Sequence, residues 1–497
     1  MVDKSNLAYK FQEIEKEIDY TYLPDPLKFT SISLTEVFNN KLRLEASAFS
    51  LQARKAREKL KKCKNGASQL FPNPSFVVNA FHAPRFKRQY VQSTVPNSVG
   101  FLGSAEMLNT KPNPIKFIPN EQALKNRLYV KKETILISCS GTIGNTTFVN
   151  RTLEKYAFSQ HIIRLICREY PGYIYAFLNT SEAQAQIQSL TYGAVIPEIE
   201  PHHLENVIIP NAPKPLKKEI HELIIKSFDL RDESNDLIDK AQQNLYSELQ
   251  LKPIEDLKAE YFDSSIDLRN YSTKLSDLHL RLEASFHVPS TQAILKAIKQ
   301  HAKEVTNIGD KRISSNIILP GRFKRIYVEK HNGIPFFGGK QLLELNPSNI
   351  KYLSLDQHSK RISEQLFLKE NMIAVTCSGT IGKVNIIPKH WENWTLNQHV
   401  MRIVPSNPDI AGYVFCWLNT EFGHRLITRH TYGSVVDEID DRHLSQVEIP
   451  LLKDEQKQKL INDLVLKANE LRHEAHLKEQ KAIEKIKEII NSTVNTN

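Results

Sequence analysis

The chain has 497 residues, 40% hydrophobic and 25% charged, with a formal net charge of +10. That length suits about three domains, and the balance is that of an ordinary water-soluble globular protein. No run of about 18 apolar residues occurs, the opening MVDKSNLAYKFQEIEKEID is too polar for a secretory leader, and the five cysteines form no CxxC pair, so a membrane span, a disulfide framework and a cysteine metal site are not expected.

A reducing cytoplasm is the expected location. The positive charge permits an acidic partner such as nucleic acid without requiring one.

Residues 1–41 read as a helical lead-in. From 42 onward almost everything occurs twice. LRLEAS at 42–47 returns at 280–285, and CSGTIG at 139–144 returns at 377–382, both at an offset of 238. RFKRQYV at 85–91 returns as RFKRIYV at 322–328, offset 237. TYGAVIPEIEPHHLENVIIP at 191–210 returns as TYGSVVDEIDDRHLSQVEIP at 431–450, offset 240. A period this long is a duplicated domain rather than a solenoid.

Within each copy, short apolar runs such as ILIS, FVN and HIIRLIC are spaced by Gly, Pro and Asn and read as strands. Two short helices follow (YIYAFLNTSEAQAQIQSL and YVFCWLNTEFGHRLITRH), then a last strand, VIIP or VEIP, stopped by Pro. After Pro215 the chain runs to 249 without Pro or Gly, with Leu216, Leu223, Leu230 and Leu237 every seven residues. Ile220, Ser227, Ser234 and Ala241 fill the alternate heptad position. The second copy repeats this from about 454 to 490, with Leu464, Ala468, Leu471, Ala475, Ala482, Ile486 and Ile489 on one stripe. Each helix spans about 50 Å, and a narrow stripe with charged faces calls for one partner helix. The expected layout is a mixed α/β (α+β) domain at 42–212, a long helix at 213–250, a connector at 251–285, a second mixed domain at 286–452, a second long helix at 453–490, and a frayed tail at 491–497.

The motifs nearest to catalytic signatures fall short of them. Gly379-Thr380-Ile381-Gly382-Lys383 has two residues between its glycines where a phosphate loop needs four, and Val384 follows the lysine. The hydrolase elbow Gly-x-Ser-x-Gly is absent. Asn73-Pro74-Ser75-Phe76 lacks the second Pro of the adenine methyltransferase motif and has no second copy, so it reads as a turn. His202, His203 and His443 show no metal-ligand spacing. Cys139 and Cys377 read as small buried residues rather than nucleophiles.

The remaining pattern favours a nucleic-acid contact surface. Arg85, Lys87, Arg88 and Tyr90 cluster, as do Arg322, Lys324, Arg325 and Tyr327. In a strand-like segment Arg85, Lys87 and Gln89 share one face; Arg can fork onto guanine or grip phosphate, and Lys is a point charge for phosphate. The alternative is a solvated basic loop. Ser140, Gly141 and Thr142, with Ser378, Gly379 and Thr380, offer small side chains and free backbone N–H groups that a DNA backbone could approach. Gln160-His161 and Gln398-His399 stand in strand-like runs, either as structural histidines or as base contacts. Tyr192 and Tyr432 either present an aromatic ring near a groove or cap a helix.

These doubled motifs, in this order, resemble the specificity subunit of Type I restriction-modification systems, or a relative in a methyltransferase-based phage defence system. The strand–SGTIG–strand unit, the Gln-His strand, the Tyr-Gly passage ending in Ile-Pro, and Gly333-Ile334-Pro335-Phe336 carry the likeness. The resemblance implies two target recognition domains, each reading half of a bipartite duplex DNA site. It implies antiparallel long helices that dock two DNA methyltransferase subunits, with restriction or translocase subunits as further partners. It implies no catalysis and no cofactor on this chain, with S-adenosylmethionine and ATP held by partner subunits. Rival readings are a fused or degenerate methyltransferase or nuclease, and a coiled-coil adaptor whose modules bind protein.

Overall fold

Short β-branched runs between turn residues give the strands, and the helix-forming runs between them cover one face. A computed structural model describes residues 31–39, 42–193, 195–254, 256, 271–278 and 281–492. Most of the expected lead-in, much of the 251–285 connector and the end of the tail therefore lie outside the described residues.

The first copy contains α1 (Leu34–Asn39), α2 (Leu51–Lys61), β1 (Ala67–Gln69), β2 (Val77–His82), β3 (Ser98–Leu102), β4 (Phe117–Pro119), α3 (Asn120–Lys125), β5 (Ile135–Ser138), β6 (Thr146–Phe148), β7 (Ala157–Phe158), β8 (Ile162–Cys167), α4 (Pro171–Leu178), α5 (Ser181–Ser189), β9 (Ile208–Pro210) and the long α6 (Lys214–Glu248). The second contains α7 (Pro289–His301), β10 (Glu304–Asn307), β11 (Ser314–Ile318), β12 (Gly333–Phe337), β13 (Lys351–Ser354), α8 (Leu355–Arg361), β14 (Ile373–Thr376), β15 (Val384–Ile386), β16 (Thr395–Leu396), β17 (Val400–Pro405), α9 (Pro408–Leu418), α10 (Glu421–Thr428), α11 (Asp441–Ser445), β18 (Glu448–Leu451) and the long α12 (Glu455–Asn491).

Each copy builds the same three sheets. The four-stranded sheet runs β2-β8-β5-β6 or β11-β17-β14-β15, the three-stranded one β4-β3-β7 or β13-β12-β16, and a two-stranded pair joins β1 to β9 or β10 to β18. All pairs are antiparallel except β3–β7 and β12–β16. A buried arginine joins the two larger sheets. Arg164 on β8 donates to the carbonyls of Ile162 (2.9 Å), Phe158 (2.9 Å) and Leu128 (3.4 Å). Arg402 on β17 donates to those of Val400 (2.6 Å), Leu396 (2.5 Å), Leu366 (3.2 Å) and Asn397 (3.3 Å). Burial pushes the two guanidinium groups down to about 10 and about 9, and the carbonyl dipoles offset the cost of burying the charge.

Helix α4 seats on α6, and α9 on α12, through a glycine that lets backbones touch. A Cβ at Gly172 would stand 2.9 Å from His221 Cα, and one at Gly412 would stand 2.4 Å from the Asn462 carbonyl oxygen. The freed amides donate to His221 Nδ1 (3.1 Å) and Asn462 Oδ1 (2.8 Å).

The long helices pair antiparallel: Lys485 meets Glu219 (2.8 Å), the Ser227 hydroxyl donates to the Ala475 carbonyl (2.7 Å), and Lys457 lies 4.0 Å from Glu248. Ser227, Ser234, Ala241, Ala468, Ala475 and Ala482 are fully buried on the seam, where small side chains permit close approach. Ile220 and Ile486 lie on this seam, and Leu230 and Leu471 are buried beside it against Leu345 of the second copy. The second seam column differs from the expected one. It is Ile224, Arg231, Ile238 and Leu245, whereas Leu216, Leu223, Leu237 and Leu464 are half-buried on the flanks. The expected leucines stand one position from the true column, and the flanking modules bury them.

Each long helix ends on the opposite copy. Ala482, Ile483, Ile486, Ile489 and Ile490 of α12 complete the first core, and Ile238, Ala241 and Leu245 of α6 join the second. The copies also touch directly, with the Thr110 amide donating to the Leu343 carbonyl (3.0 Å).

Candidate nucleic-acid interface

The two RFKR passages are extended but lie outside the sheets, with isolated bridges only at Val91 and Tyr327. The expected strand is thus a ladder-free edge, yet side chains still alternate. Arg85 and Arg322 are 80% and 83% exposed. Lys87 and Lys324 are exposed, and among the described residues no hydrogen bond or ion pair engages either ammonium. Arg88 and Arg325 turn inward instead. Arg88 donates to Gln160 Oε1 (2.9 Å) over the Phe101 ring, and Arg325 donates to Gln398 Oε1 (2.8 Å) over Phe336. These two arginines therefore position the surface rather than stand free on it. Tyr90 and Tyr327 remain 47% and 41% exposed.

Gln160-His161 and Gln398-His399 occupy the turns entering β8 and β17, not the strands themselves. Each glutamine amide meets its neighbour's ring at Nε2, at 3.2 and 3.1 Å. Burial and the adjacent Arg88 or Arg325 push both histidines below their ordinary range, so each ring is neutral near pH 7. Arg, Gln and His form one chain in each copy.

SGTIG is the loop between β5 and β6, or β14 and β15. The Ser138 and Thr376 hydroxyls donate across its base to the Thr142 and Thr380 carbonyls, both at 2.6 Å. Its two glycines differ in purpose. Gly141 and Gly379 sit at φ +77° and +76°, exposed, and a Cβ there would meet nothing within 4 Å. Gly144 and Gly382 also have positive φ, but a Cβ would lie 2.7 Å from Gln184 or His424. The second glycine seats the loop on α5 or α10, and the first leaves the tip of the turn open to close approach by a ligand. Thr142 and Thr380 are exposed beside it.

A carboxylate stands at the centre of this basic surface, and the sequence reading missed it. The Ser140 hydroxyl donates to Glu198 (3.2 Å), which Arg85 approaches at 3.9 Å; the Ser378 hydroxyl donates to Glu438 (3.4 Å), which Arg322 approaches at 3.3 Å. Both acids lie within the doubled TYG passage, and their recurrence at the same offset was the available signal. Backbone pairing of Tyr192 with Glu198 and of Tyr432 with Glu438 closes a tight hairpin. At its tip Val195 is 92% and Ile196 57% exposed, and Val435 and Val436 are 94% and 50% exposed. The Gly141 and Gly379 amides tie this hairpin to the SGTIG loop through the Pro197 and Asp437 carbonyls (3.1 and 2.9 Å).

The LRLEAS repeat holds the hairpin from behind. Arg43 donates to the Leu190 and Thr191 carbonyls (3.3 and 2.7 Å), and Arg281 to that of His430 (3.5 Å). Tyr192 neither caps α5 nor stands free: its hydroxyl donates to Glu200 (2.9 Å), which also binds His82. Tyr432 is 37% exposed.

Nucleophile chemistry finds no support in the loop. Burial pushes the thiols of Cys139 and Cys377 up to about 12. Among the described residues no group of histidines, cysteines and acids is placed to hold a metal ion, and no helix is long and apolar enough to cross a membrane.

The family model described as the Type I restriction modification DNA specificity domain matches residues 83–242 and again 322–485. The chain belongs to that family. Each specificity domain match opens at its RFKR passage and closes inside its long helix. No curated protein sequence matches the chain. Among solved structures, it is similar to the Type I restriction-modification S subunit from M. genitalium at 12% identity over 84% of this chain and 94% of that one, TM-score 0.27. It is similar to the HsdS subunit from Thermoanaerobacter tengcongensis at 12% identity over 82% and 95%, TM-score 0.26. A shorter likeness, 14% identity over 38% of this chain and 29% of the other, TM-score 0.28, is to the type IIG restriction endonuclease BpuSI. The family assignment rests on the doubled specificity domain.

Proposed function

We propose that this protein is a non-catalytic DNA-recognition subunit, in which each specificity domain reads one half of a bipartite duplex site and the paired helices dock DNA methyltransferase subunits. The observation that carries this reading is the surface built twice from the same parts: an exposed Arg-x-Lys edge, an exposed Gly-Thr turn and an exposed aliphatic hairpin tip. Lysine and backbone amides suit phosphate, which sets register, whereas arginine and apolar tips suit base edges. Loop sequences differ between the copies, so the half-sites should differ. S-adenosylmethionine and ATP belong, on this reading, to partner subunits.

The test is DNA binding by the purified chain with and without its methyltransferase partner, combined with mapping of methylated sites. Expected are weak, salt-sensitive duplex binding alone, and sequence-specific methylation of an asymmetric bipartite site only when the partner is present. Site-specific methylation by the chain alone would instead favour a fused enzyme, and the absence of salt-sensitive DNA binding would favour a protein-binding adaptor.

A further inference from the structure

The pseudo-twofold relation between the copies breaks at the buried arginines of the long helices. Along the long helices, residue i of α6 corresponds to residue i + 241 of α12, as EIHELII at 219–225 corresponds to LINDLVL at 460–466. Arg231 therefore corresponds to Arg472. Arg231 forms a buried ion pair with Glu479 across the seam. The same operation applied to that pair puts Arg472 opposite residue 238, which is Ile238. One copy has its arginine neutralised, and the other has an aliphatic side chain in the carboxylate's place.

Arg472 is 7% exposed, and among the described residues no carboxylate pairs with it. Its one hydrogen bond among the described residues is a long one, 3.4 Å to Asn385 Oδ1, and its Nε, like those of Arg164, Arg231 and Arg402, has no partner. A guanidinium carries five donors. Arg164 and Arg402, the comparably buried arginines, spend theirs on three and four carbonyl contacts. Burial pushes the Arg472 pKa down to about 10, and no neighbouring acid raises it. A buried, uncompensated cation is among the costliest features a fold can hold.

Arg472 lines a cavity of about 830 Å³ between the two copies, bordered also by Tyr156, Tyr246, Lys383 and Arg425. Of the acids around it, Asp239 is engaged by Lys111, and Glu344 accepts the Ser348 amide (2.6 Å); Glu421 starts α10. The corresponding cavity of the other half is smaller, about 400 Å³, and holds the Arg231–Glu479 pair. We propose that the larger cavity is a binding site for a small oxyanion, a phosphate or carboxylate group that forks onto Arg472 from the cavity side and supplies the negative charge that Glu479 supplies in the other half. This site is separate from the exposed Arg-x-Lys surfaces and does not depend on their reading DNA.

Thermal melting and calorimetric titration of the full chain test this, with sodium phosphate and sodium acetate each compared with sodium chloride at equal ionic strength. Phosphate or acetate should raise the melting midpoint of the wild type beyond chloride. Arg472→Met should weaken oxyanion affinity at least about 10-fold, the worth of one charge-assisted hydrogen bond. Ile238→Glu should restore the ion pair by symmetry and remove the oxyanion response while leaving the Arg-x-Lys surfaces intact. If Ile238→Glu does not fold, Arg472→Met decides the matter alone. A wild type that answers all three salts alike overturns the proposal. So does an oxyanion response that survives in both variants, since it would then arise at the exposed basic surfaces.

Discussion

Replacing Lys87 and Lys324 together by alanine isolates the electrostatic part of DNA recognition. Both ammonium groups are exposed, and neither engages a neighbour among the described residues, so their loss leaves the fold intact. Each phosphate contact contributes about −0.9 to the slope of log affinity against log salt, so Lys87 and Lys324 together should account for about −1.8 of it. Without the lysines the slope should shrink by about 1.8, and the affinity lost between 50 and 200 mM salt should be about 12-fold smaller. Fluorescence anisotropy on a random duplex, repeated on a methylated-site duplex in the partner complex, measures both quantities. Binding should weaken evenly on the two duplexes, because a point charge on phosphate carries no sequence information. An unchanged slope, or weakening confined to the specific site, would refute the assignment of these lysines to phosphate.

Glu198→Gln should strengthen binding to any duplex a few-fold, because it removes a carboxylate 3.9 Å from Arg85; competition binding reads this. Gly144→Ala should destabilise the fold more than Gly141→Ala, since only the former drives a Cβ to within 2.7 Å of a neighbour; both add about 1 kcal/mol of left-handed strain, and Gly141→Ala should be the one that costs DNA affinity. Arg402→Met should cost at least about 3 kcal/mol in urea unfolding, because it strands four buried carbonyl contacts. Burial lowers His476 to about 4 and His430 to about 3, so the unfolded chain binds their protons first. Their stabilisation is complete above about pH 6.5 and fades as pH falls toward 4; unfolding midpoints should drop over that window, less steeply in His476→Gln.

Repetition made the fold legible. An offset constant to within a few residues fixed the two domains and the long helices, because equal sequence in equal order must fold alike. Where one segment alone was informative, the period of 3.5 placed Ile220, Ser227 and Ala468 on the seam. The leucine column misled, since Leu216, Leu223, Leu237 and Leu464 are wanted by flanking modules rather than by the partner helix. Within the surface, charge drew attention to RFKR, but the sequence does not say which of two arginines faces inward. That is decided by Gln160 and Gln398, about 73 residues away along the chain. Glu198, Val195 and Ile196 were hidden for a related reason: an acid and two aliphatics in a turn carry no signal until the hairpin is seen against the SGTIG loop.

The circular closure of the chain has an energetic consequence. Ile483, Ile486, Ile489 and Ile490 of α12 lie in the core of the first copy, more than 400 residues from Cys63, whose thiol donates to the Ile490 carbonyl. Burying one isoleucine contributes about 1.5–3 kcal/mol, so these four supply about 6–12 kcal/mol to a domain from which they are remote along the chain. Whole domains are stable by only about 5–15 kcal/mol. Neither copy therefore holds a complete core without the other's helix, and the two reading surfaces are set in mutual orientation by the same contacts that make each of them fold. A rigid pair of readers follows from this packing. It also explains why the copies can differ at the exposed loops yet must match at Gly172 and Gly412, at Arg164 and Arg402, and along the small-residue seam. Ile238 opposite Arg472 is a departure within that matched interior, in a place where an aliphatic residue costs the fold a neutralised charge.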